Sequence, residues 1–379
     1  MRWFVRVFRR LAVLLAAVAT LHGVVVVPAA FARPGESVAA APTTLRILSF
    51  NIWFEGTAVP DGLDYVVETI RMTGANVVLL SEAGAATHAI AEALSTPEQP
   101  YYAAASDDAG IVSAFPIIDE AELPYAKKAI LDVHGREVAT YSAHLYYRNY
   151  ATYLPRGYGG GVDEPSEFAQ YGWDKLPDGP VLDVDKILQV NADSGRTEVI
   201  SHIVADAALE RAKRRTVFLG GDFNEPPADD WTAATGSLFD HQGLTIPWQT
   251  SAFLRDAGYV DAYRATYPNP VTHPGFTWPS DNPDKDVSEL TWAPEADERD
   301  RIDYVFHRSA SGVKLVSAGV VGPRSTIVRN ERVVEDTDDN FLSIPEHWPS
   351  DHKAVLATYR LAGSPPPPER TFETATRTA

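Results

Sequence analysis

Not one of the 379 residues is a cysteine. That absence excludes disulfides, thiolate metal centres and cysteine nucleophiles together, so the fold must hold by packing and its chemistry must come from other groups. Positive charge is scarce as well. Thirty-three lysines and arginines face 51 acids, for a formal net charge of −18, and a surface of that sign repels polyanions at long range. Tight non-specific binding to nucleic acid is thereby disfavoured, although divalent cations can bridge an acidic site to phosphate. The basic residues present are scattered rather than grouped, and no repeat of fixed period occurs.

The N-terminus departs from this pattern. Arg2, Arg6, Arg9 and Arg10 lead into the apolar run Leu11–Val27, and Ala30-Phe31-Ala32 supplies a small-residue cleavage pattern. Residues 1–32 are expected to be a signal peptide, cleaved on export to the periplasm or beyond. An uncleaved anchor is the other reading, since the run is near the lower limit for a spanning helix; Pro28 and the Ala-x-Ala site stand against it. Arg9-Arg10 hints at a twin-arginine signal that its flanks do not support. Cleavage removes four arginines and no acid, moving the net charge from −18 to −22, and leaves no membrane span. Residues 33–43 read as a linker, 44–362 as one globular domain and the proline-run tail 363–379 as disordered.

Within the domain, aliphatic runs such as Leu45–Leu48, Asn76–Leu80 and Thr216–Gly220 are written as strands buried on both faces. Leu63–Met72 has helical spacing, Ala85–Leu94 and Ala252–Ala257 are expected helices, and Asp185–Arg211 reads as one long amphipathic helix. Tyr101–Ala105 and Gly110–Phe115 read as two strands joined by a turn at Ser106-Asp107-Asp108. Arg136–Ala143, Arg301–Phe306, Val313–Val321 and Ala354–Tyr359 are further strands. Strands outnumber helices and the helices fall between groups of strands, which predicts α/β (α+β) layering around a two-sheet sandwich. Tyr146 to Pro180 differs: it is dense in Tyr, Gly and Pro, contains RGYGGG at Arg156–Gly161 and shows no sustained period. A loop of that length is functional or disordered, and its aromatic content argues against disorder.

Polar residues cluster at the ends of the apolar runs: SFN at Ser49–Asn51, SE at Ser81–Glu82, GDFN at Gly221–Asn224 and SDH at Ser350–His352. Glu82 ends a buried run, where an unpaired carboxylate is costly and a cation relieves the cost; an exposed strand end is the plainer reading. In GDFNEP the glycines let backbone approach a ligand, and Asp222 and Asn224 fall on one side of an extended segment. The same residues would also suit an Asx-turn before Pro226-Pro227. Asp303 either accepts the Nδ1 proton of a histidine or forms a salt bridge with Arg301 or Arg299. His144 closes the strand TYSAHL.

Taken in order, LRILSFNIW, VVLLSEA, GIVSAFPI, YSAHL, FLGGDFNEPP, RIDYVF and WPSDHKAV resemble the endonuclease/exonuclease/phosphatase superfamily, as a secreted bacterial-type member, over roughly Leu45 to Leu361. The resemblance implies the DNase I-like fold, a four-layered α/β sandwich of two packed mixed sheets flanked by helices. It implies Glu82 as principal Mg²⁺ ligand, with Asn51 beside it and Asp351 as a further ligand. Asp222 and Asn224 would orient water and phosphate, Asp303 would pair with His352 as general base or phosphate-stabilising imidazolium, and His144 would be the second catalytic histidine. Ser81 stands where the family commonly has glutamine.

The chemistry suits these residue types. A phosphodiester is anionic and resists attack by water; a hard cation on carboxylates neutralises it, and a histidine tuned by an aspartate moves the proton. Mn²⁺ or Ca²⁺ could stand in for Mg²⁺. The expectation is an exported, monomeric Mg²⁺-dependent phosphoesterase acting on a small molecule, a lipid head group or nucleic acid. The insertion would select the substrate through Tyr147, Arg148 and Tyr153. A secreted nuclease and a sphingomyelinase-like lipid phosphodiesterase are the alternatives, and a non-catalytic binding protein would require loss of Glu82, Asp222, Asn224 or His352, all of which are present.

Overall fold

The aliphatic runs are strands, and they stack into two sheets. The computed structural model describes residues 42–362 apart from 309, 311 and 343; the expected signal peptide, nearly all of the linker and the tail lie outside the described residues. In chain order the strands are β1 (Thr43–Asn51), β2 (Val77–Ser81), β3 (Tyr102–Ala105), β4 (Gly110–Ser113), β5 (Ile117–Leu123), β6 (Ala126–Val133), β7 (Arg136–His144), β8 (Thr216–Asp222), β9 (Tyr259–Asp261), β10 (Asp303–Arg308), β11 (Val313–Val321), β12 (Ser325–Val328), β13 (Glu331–Val334), β14 (Phe341–Leu342) and β15 (Ala354–Leu361). One mixed sheet runs β14-β11-β15-β1-β2-β4-β3 and the other β5-β6-β7-β8-β10-β9, with β12-β13 as a separate pair.

Alternation within the central strands decides the layers. Leu45, Ile47, Val77 and Leu79 point between the sheets and pack with Leu131, Val138, Phe218 and Val305. Their neighbours Leu48, Phe50, Val78 and Leu80 point outward against Val66, Ile70 and Ile90 of the helices Gly62–Thr73 and Ala86–Leu94. On the far side Tyr141, Val217 and Phe306 cover Ile200 and Ile203 of the helix Arg196–Ala212. The result is the four-layered, DNase I-like α/β sandwich, and it explains why these strands carry no exposed polar face.

Near one end of the sandwich the interface between the sheets turns polar. Ser49 Oγ accepts from Gly221 N at 2.9 Å, Ser81 Oγ accepts from Asp222 N at 3.1 Å, and Ser142 Oγ donates to Leu80 O at 2.9 Å. All three serines are fully buried. A side chain on Gly221 would place its Cβ 1.8 Å from Ala143 O, and its φ of +128° is also one that other residues avoid. The hydroxyls tie the two sheets together here, and the missing side chain lets β8 lie close against its neighbour β7.

Two expectations need correction. Asp185–Arg211 is two helices, Val184–Asp193 and Arg196–Ala212, broken where Gly195 takes a left-handed φ of +74°. The break lets Ile187 and Val190 join a separate core with Trp231 and Trp248, while the second helix lies on β7 and β8. Strand β10 also begins two residues later than expected, at Asp303, because Arg301 turns its guanidinium to Asp230 and Asp261. The Tyr146–Pro180 segment has only two single-turn helices, Ala151–Tyr153 and Ala169–Tyr171, yet it is firmly packed. Buried Arg156 forms an ion pair with Asp300 at 2.6 Å, and Tyr150 donates to the same carboxylate. Gly161 lies so close beneath Trp173 that a Cβ there would sit 2.3 Å from the ring.

Candidate active site

The register of three adjacent strands puts His144 opposite Asp222 and Asp222 opposite Asp303. From the other sheet, Asn51 ends β1 beside Ser81 of β2, so Glu82 follows directly. Ser350 Oγ donates to Asn51 O at 2.8 Å, which holds Asp351 and His352 against the same rim. Residues spread over three hundred positions therefore meet at one end of the sandwich.

Asp222 is the hub. Asn51 Nδ2 donates to its Oδ2 at 3.0 Å and to Glu82 Oε1 at 3.1 Å. The Nε2 atoms of His144 and His352 stand 3.8 and 3.7 Å from Asp222 Oδ2. Each imidazole is aimed from behind by a second acid: His144 Nδ1 bonds Asp108 Oδ2 at 2.7 Å, and His352 Nδ1 bonds Asp303 Oδ2 at 3.0 Å. Asp303 therefore takes the histidine rather than Arg301 or Arg299. Thr277 fixes it further by accepting from the backbone N–H groups of Ile302 and Asp303.

Electrostatics favours two charged rings. Burial works against imidazolium at His144, but the Asp108 hydrogen bond and the charges of Asp222, Asp108 and Glu82 outweigh it and raise the pKa to about 9. At His352 burial is again outweighed, by Asp303 and Asp222, and the pKa rises to about 10. Burial raises Asp303 against the pull of His352, with Asp222 adding to the rise. Asp351 is pushed up to about 7, first by burial, then by the charge of Glu82, while His352 opposes the rise.

Asn51 reaches the cluster through its nitrogen; its oxygen accepts from Trp53 N at 3.0 Å. In this geometry it spaces the acids, with its nitrogen turned to both carboxylates. Glu82 Oε2 accepts from Phe54 N at 2.8 Å, within a turn whose Trp53, Phe54 and Glu55 all have left-handed φ between +52° and +60°. Three such residues in succession cost energy and persist only where surroundings hold them; here the turn's amides are spent on Asn51 and Glu82. Asn224 serves both sequence readings. Its N–H closes an Asx-turn on Asp222 Oδ1 at 2.8 Å, and its side chain, anchored to Leu145 O, lines the cavity.

The donor set fits a hard divalent cation. Asp351 Oδ1 is buried without a hydrogen-bond partner among the described residues, and the Glu82 charge acts on it. An orphaned carboxylate oxygen facing a second acid is a position that a cation neutralises. A tighter triplet, Asp222, Asp303 and His352, offers ligand atoms within 4.8 Å of one another. Its Asp303–His352 pair is already joined by a hydrogen bond, so it reads as an acid–base relay rather than a cage.

Glu82, Asp108, His144, Asp222, Asn224, Asp351 and His352 open into one cavity of about 510 Å³, whose lining does not include Asn51 or Asp303. Its other wall is aromatic: Tyr147, Tyr150, Tyr153, Trp173, Trp278 and Trp292. Tyr147 and Trp173 lie nearly parallel with centroids 6.3 Å apart, and Trp173 meets Trp292 at 4.7 Å. Tyr147 and Trp292 are 50% and 44% exposed, so they form the mouth. No lysine or arginine lines the cavity. Of the three substrate residues expected in the insertion, Tyr147 and Tyr153 line it, the latter with its hydroxyl given to Glu298. Arg148 does not: its Nε donates to Asp163 at 2.7 Å and it lies outside the lining. Sequence reasoning missed Asp108, taken only as a turn residue, and the tryptophans at 173, 278 and 292. An acid pair at a hairpin tip level with the other polar strand ends was the one signal for Asp108.

A model of the endonuclease/exonuclease/phosphatase family matches residues 48–352. An uncharacterized Caenorhabditis elegans protein is 26% identical over 337 residues, covering 83% of this chain and 91% of its own length. Similar solved structures include a family protein from Bacteroides thetaiotaomicron (13% identity, 85% of this chain and 99% of that one, TM-score 0.45). D. rerio TDP2 complexed with single-strand DNA product is 14% identical over 84% of this chain and 99% of its own, with TM-score 0.46. The human Nocturnin catalytic domain with bound sulfate is 12% identical over 86% and 97%, with TM-score 0.47.

Proposed function

Because the chain belongs to the endonuclease/exonuclease/phosphatase family, whose members hydrolyse phosphoester bonds, we propose that it is an exported, Mg²⁺-dependent phosphodiesterase acting on a small or lipid-linked phosphodiester. One observation carries the substrate reading: the cavity joins a phosphoester-type acid and imidazole cluster to an aromatic wall without a single lysine or arginine. A strand of nucleic acid needs cationic side chains along its backbone path. A single phosphodiester needs only local neutralisation, with its alcohol seated on aromatic faces. Export rests on the arginine-led apolar run and the Ala30-Phe31-Ala32 site. No helix among the described residues is long and apolar enough to cross a membrane.

Glu82 and Asp351 would hold the cation. When bound it supplies Lewis acidity and neutralises phosphoryl charge. Asp222 lies within about 4 Å of both imidazoles and orients the attacking water and takes its proton. As the water oxygen bonds to phosphorus the bond to the alcohol breaks, and an imidazolium returns a proton to the departing oxygen. With pKa values raised to about 9 and 10, His144 and His352 both carry that proton at neutral pH and stabilise the charge that builds on the phosphoryl oxygens. Asn51 and Asn224 keep the carboxylates in register.

The deciding test is hydrolysis of bis-p-nitrophenyl phosphate, sphingomyelin, inositol phosphates and plasmid DNA by the full chain, with Mg²⁺ and with EDTA. Activity on the small or lipid diester is expected to vanish in EDTA and to fall about 10²–10⁴-fold in His352→Ala. Turnover that persists in EDTA, or plasmid cleavage exceeding that of the small diesters, would overturn the reading.

A further inference from the structure

At the end of β7, β8 and β10 remote from the catalytic cluster, five arginines converge on a second cavity of about 230 Å³. Arg136 opens β7, Arg308 closes β10, Arg215 immediately precedes β8, and Arg211 and Arg214 come from the C-terminus of the helix Arg196–Ala212 and the turn after it. The pairing leaves no doubt about the placement. His144, Asp222 and Asp303 lie side by side at one end of these strands, whereas Val138 pairs with Thr216 and Phe218 with His307 at the other.

In a chain with 51 acids and 33 lysines and arginines, no carboxylate lines this cavity. Arg215 alone is ion-paired, to Glu137 at 2.7 Å and to Glu210 at 2.5 Å. Arg136, Arg211, Arg214 and Arg308 make no ion pair among the described residues. Arg136 is partly buried and gives its guanidinium to two neutral oxygens, Ala362 O at 3.1 Å and Thr216 Oγ1 at 2.9 Å. Arg308 lies against Gly258, where a Cβ would stand 2.7 Å from the guanidinium carbon. The glycine thus leaves room for a cation that no acid meets.

The helix dipole accounts for Arg211 and Arg214, which sit where cations are favoured. It does not account for Arg136 and Arg308, which belong to strands. Like charges gathered at this density repel, and an anion between them turns that repulsion into attraction. The planar fork of guanidinium matches the oxygens of phosphate better than it matches a simple halide. We propose that this cavity binds a phosphate-bearing anion at a site separate from the catalytic one. The ligand is either a free phosphate compound or the headgroup of an anionic lipid; in the second case the catalytic cavity faces away from the lipid surface.

Full-length protein in EDTA, with no cation available to recruit phosphate to the catalytic carboxylates, is titrated calorimetrically with pyrophosphate at physiological ionic strength. In parallel it is floated with phosphatidylglycerol and with phosphatidylcholine vesicles. Binding to pyrophosphate assigns the free anion, and binding to phosphatidylglycerol vesicles alone assigns the headgroup. Either must weaken at least about tenfold in Arg211→Ser/Arg308→Ser, and about threefold in Arg214→Ser, whose turn position puts the fold at no risk. Hydrolysis of bis-p-nitrophenyl phosphate in Mg²⁺ by both variants is expected to match wild type, which also reports that they fold. Failure of both probes to bind, or affinity unchanged by the double substitution, overturns the proposal whatever the enzyme's substrate.

Discussion

Asp222 and Asp303 stand on strands buried on both faces and Glu82 directly follows one, whereas Tyr147 and Trp173 stand on a segment with no strand and only two single helical turns. Both regions are closely packed, but for different reasons. The acids are placed by sheet register, in which a shift of one residue would turn each side chain to the wrong face. The aromatics are placed by a small core in which Tyr150, Tyr153 and Trp278 pack with Ala293, Ala296 and Ile302 and Trp173 lies against them, and by buried polar ties such as Arg156 to Asp300. The first arrangement fixes a reaction and tolerates little change. The second can be rewritten without disturbing the first, which is how one scaffold comes to serve different substrates.

That division of labour is open to direct attack. Asp303→Asn removes the carboxylate behind His352 and should cost about 10²–10⁴-fold in kcat with little change in KM. The alkaline limb of the pH–rate profile should also move to lower pH, because the charge that raises the imidazole pKa is gone. An unaltered profile would remove Asp303 from the relay. Asp351→Asn should act on stability as well as on cation binding. Its acid has a folded pKa raised from 3.8 to about 7, so the folded state loses stability as pH rises between those values. The cation-free variant should therefore be more stable than wild type at pH 8, by roughly 4 kcal/mol, and should lose the stabilisation that Mg²⁺ gives wild type. Chemical denaturation with and without Mg²⁺ measures both effects. Trp292→Ala, on the aromatic side, should raise KM about tenfold for a diester with an aromatic alcohol and leave kcat near wild type, since one stacked ring is worth about 0.5–1.5 kcal/mol beyond its area. A fall in kcat as large as that of Asp303→Asn would erase the distinction between the two regions. The smallest effect is spectroscopic. In EDTA the His144 ring should stay protonated through neutral pH and lose its proton only towards pH 9; an NMR titration of its ring protons follows this directly.

The sequence was most legible where the backbone carries the information. A strand such as NVVLL announces itself by composition, and the polar residue after it falls at the sheet's end by geometry alone. The pairing of Asp303 with His352 needed the resemblance to choose between two readings, because Arg299 and Arg301 are nearer in sequence. The structure disposes of them through Asp297 and Asp230, acids that no local pattern assigns. The helix break at Gly195 was missed although Ile187 and Val190 fall nearly opposite Val199 and Ile203 on a continuous helix, and the separate cores that the halves serve show why it exists. The aromatic wall was the least readable. Trp173, Trp278 and Trp292 come from three loops without a period, and nothing in the order of residues says that they meet.

The serine contacts between the sheets have a consequence for how the molecule responds to load. Asn51, Glu82 and Asp351 hang from one sheet, and His144, Asp222 and Asp303 from the other. Ser49, Ser81 and Ser142 bridge the seam within a residue or two of those groups. The active centre is thus a joint between two plates, with its rivets set beside the working edge. A slip of one plate against the other would pull the two halves of the catalytic cluster apart.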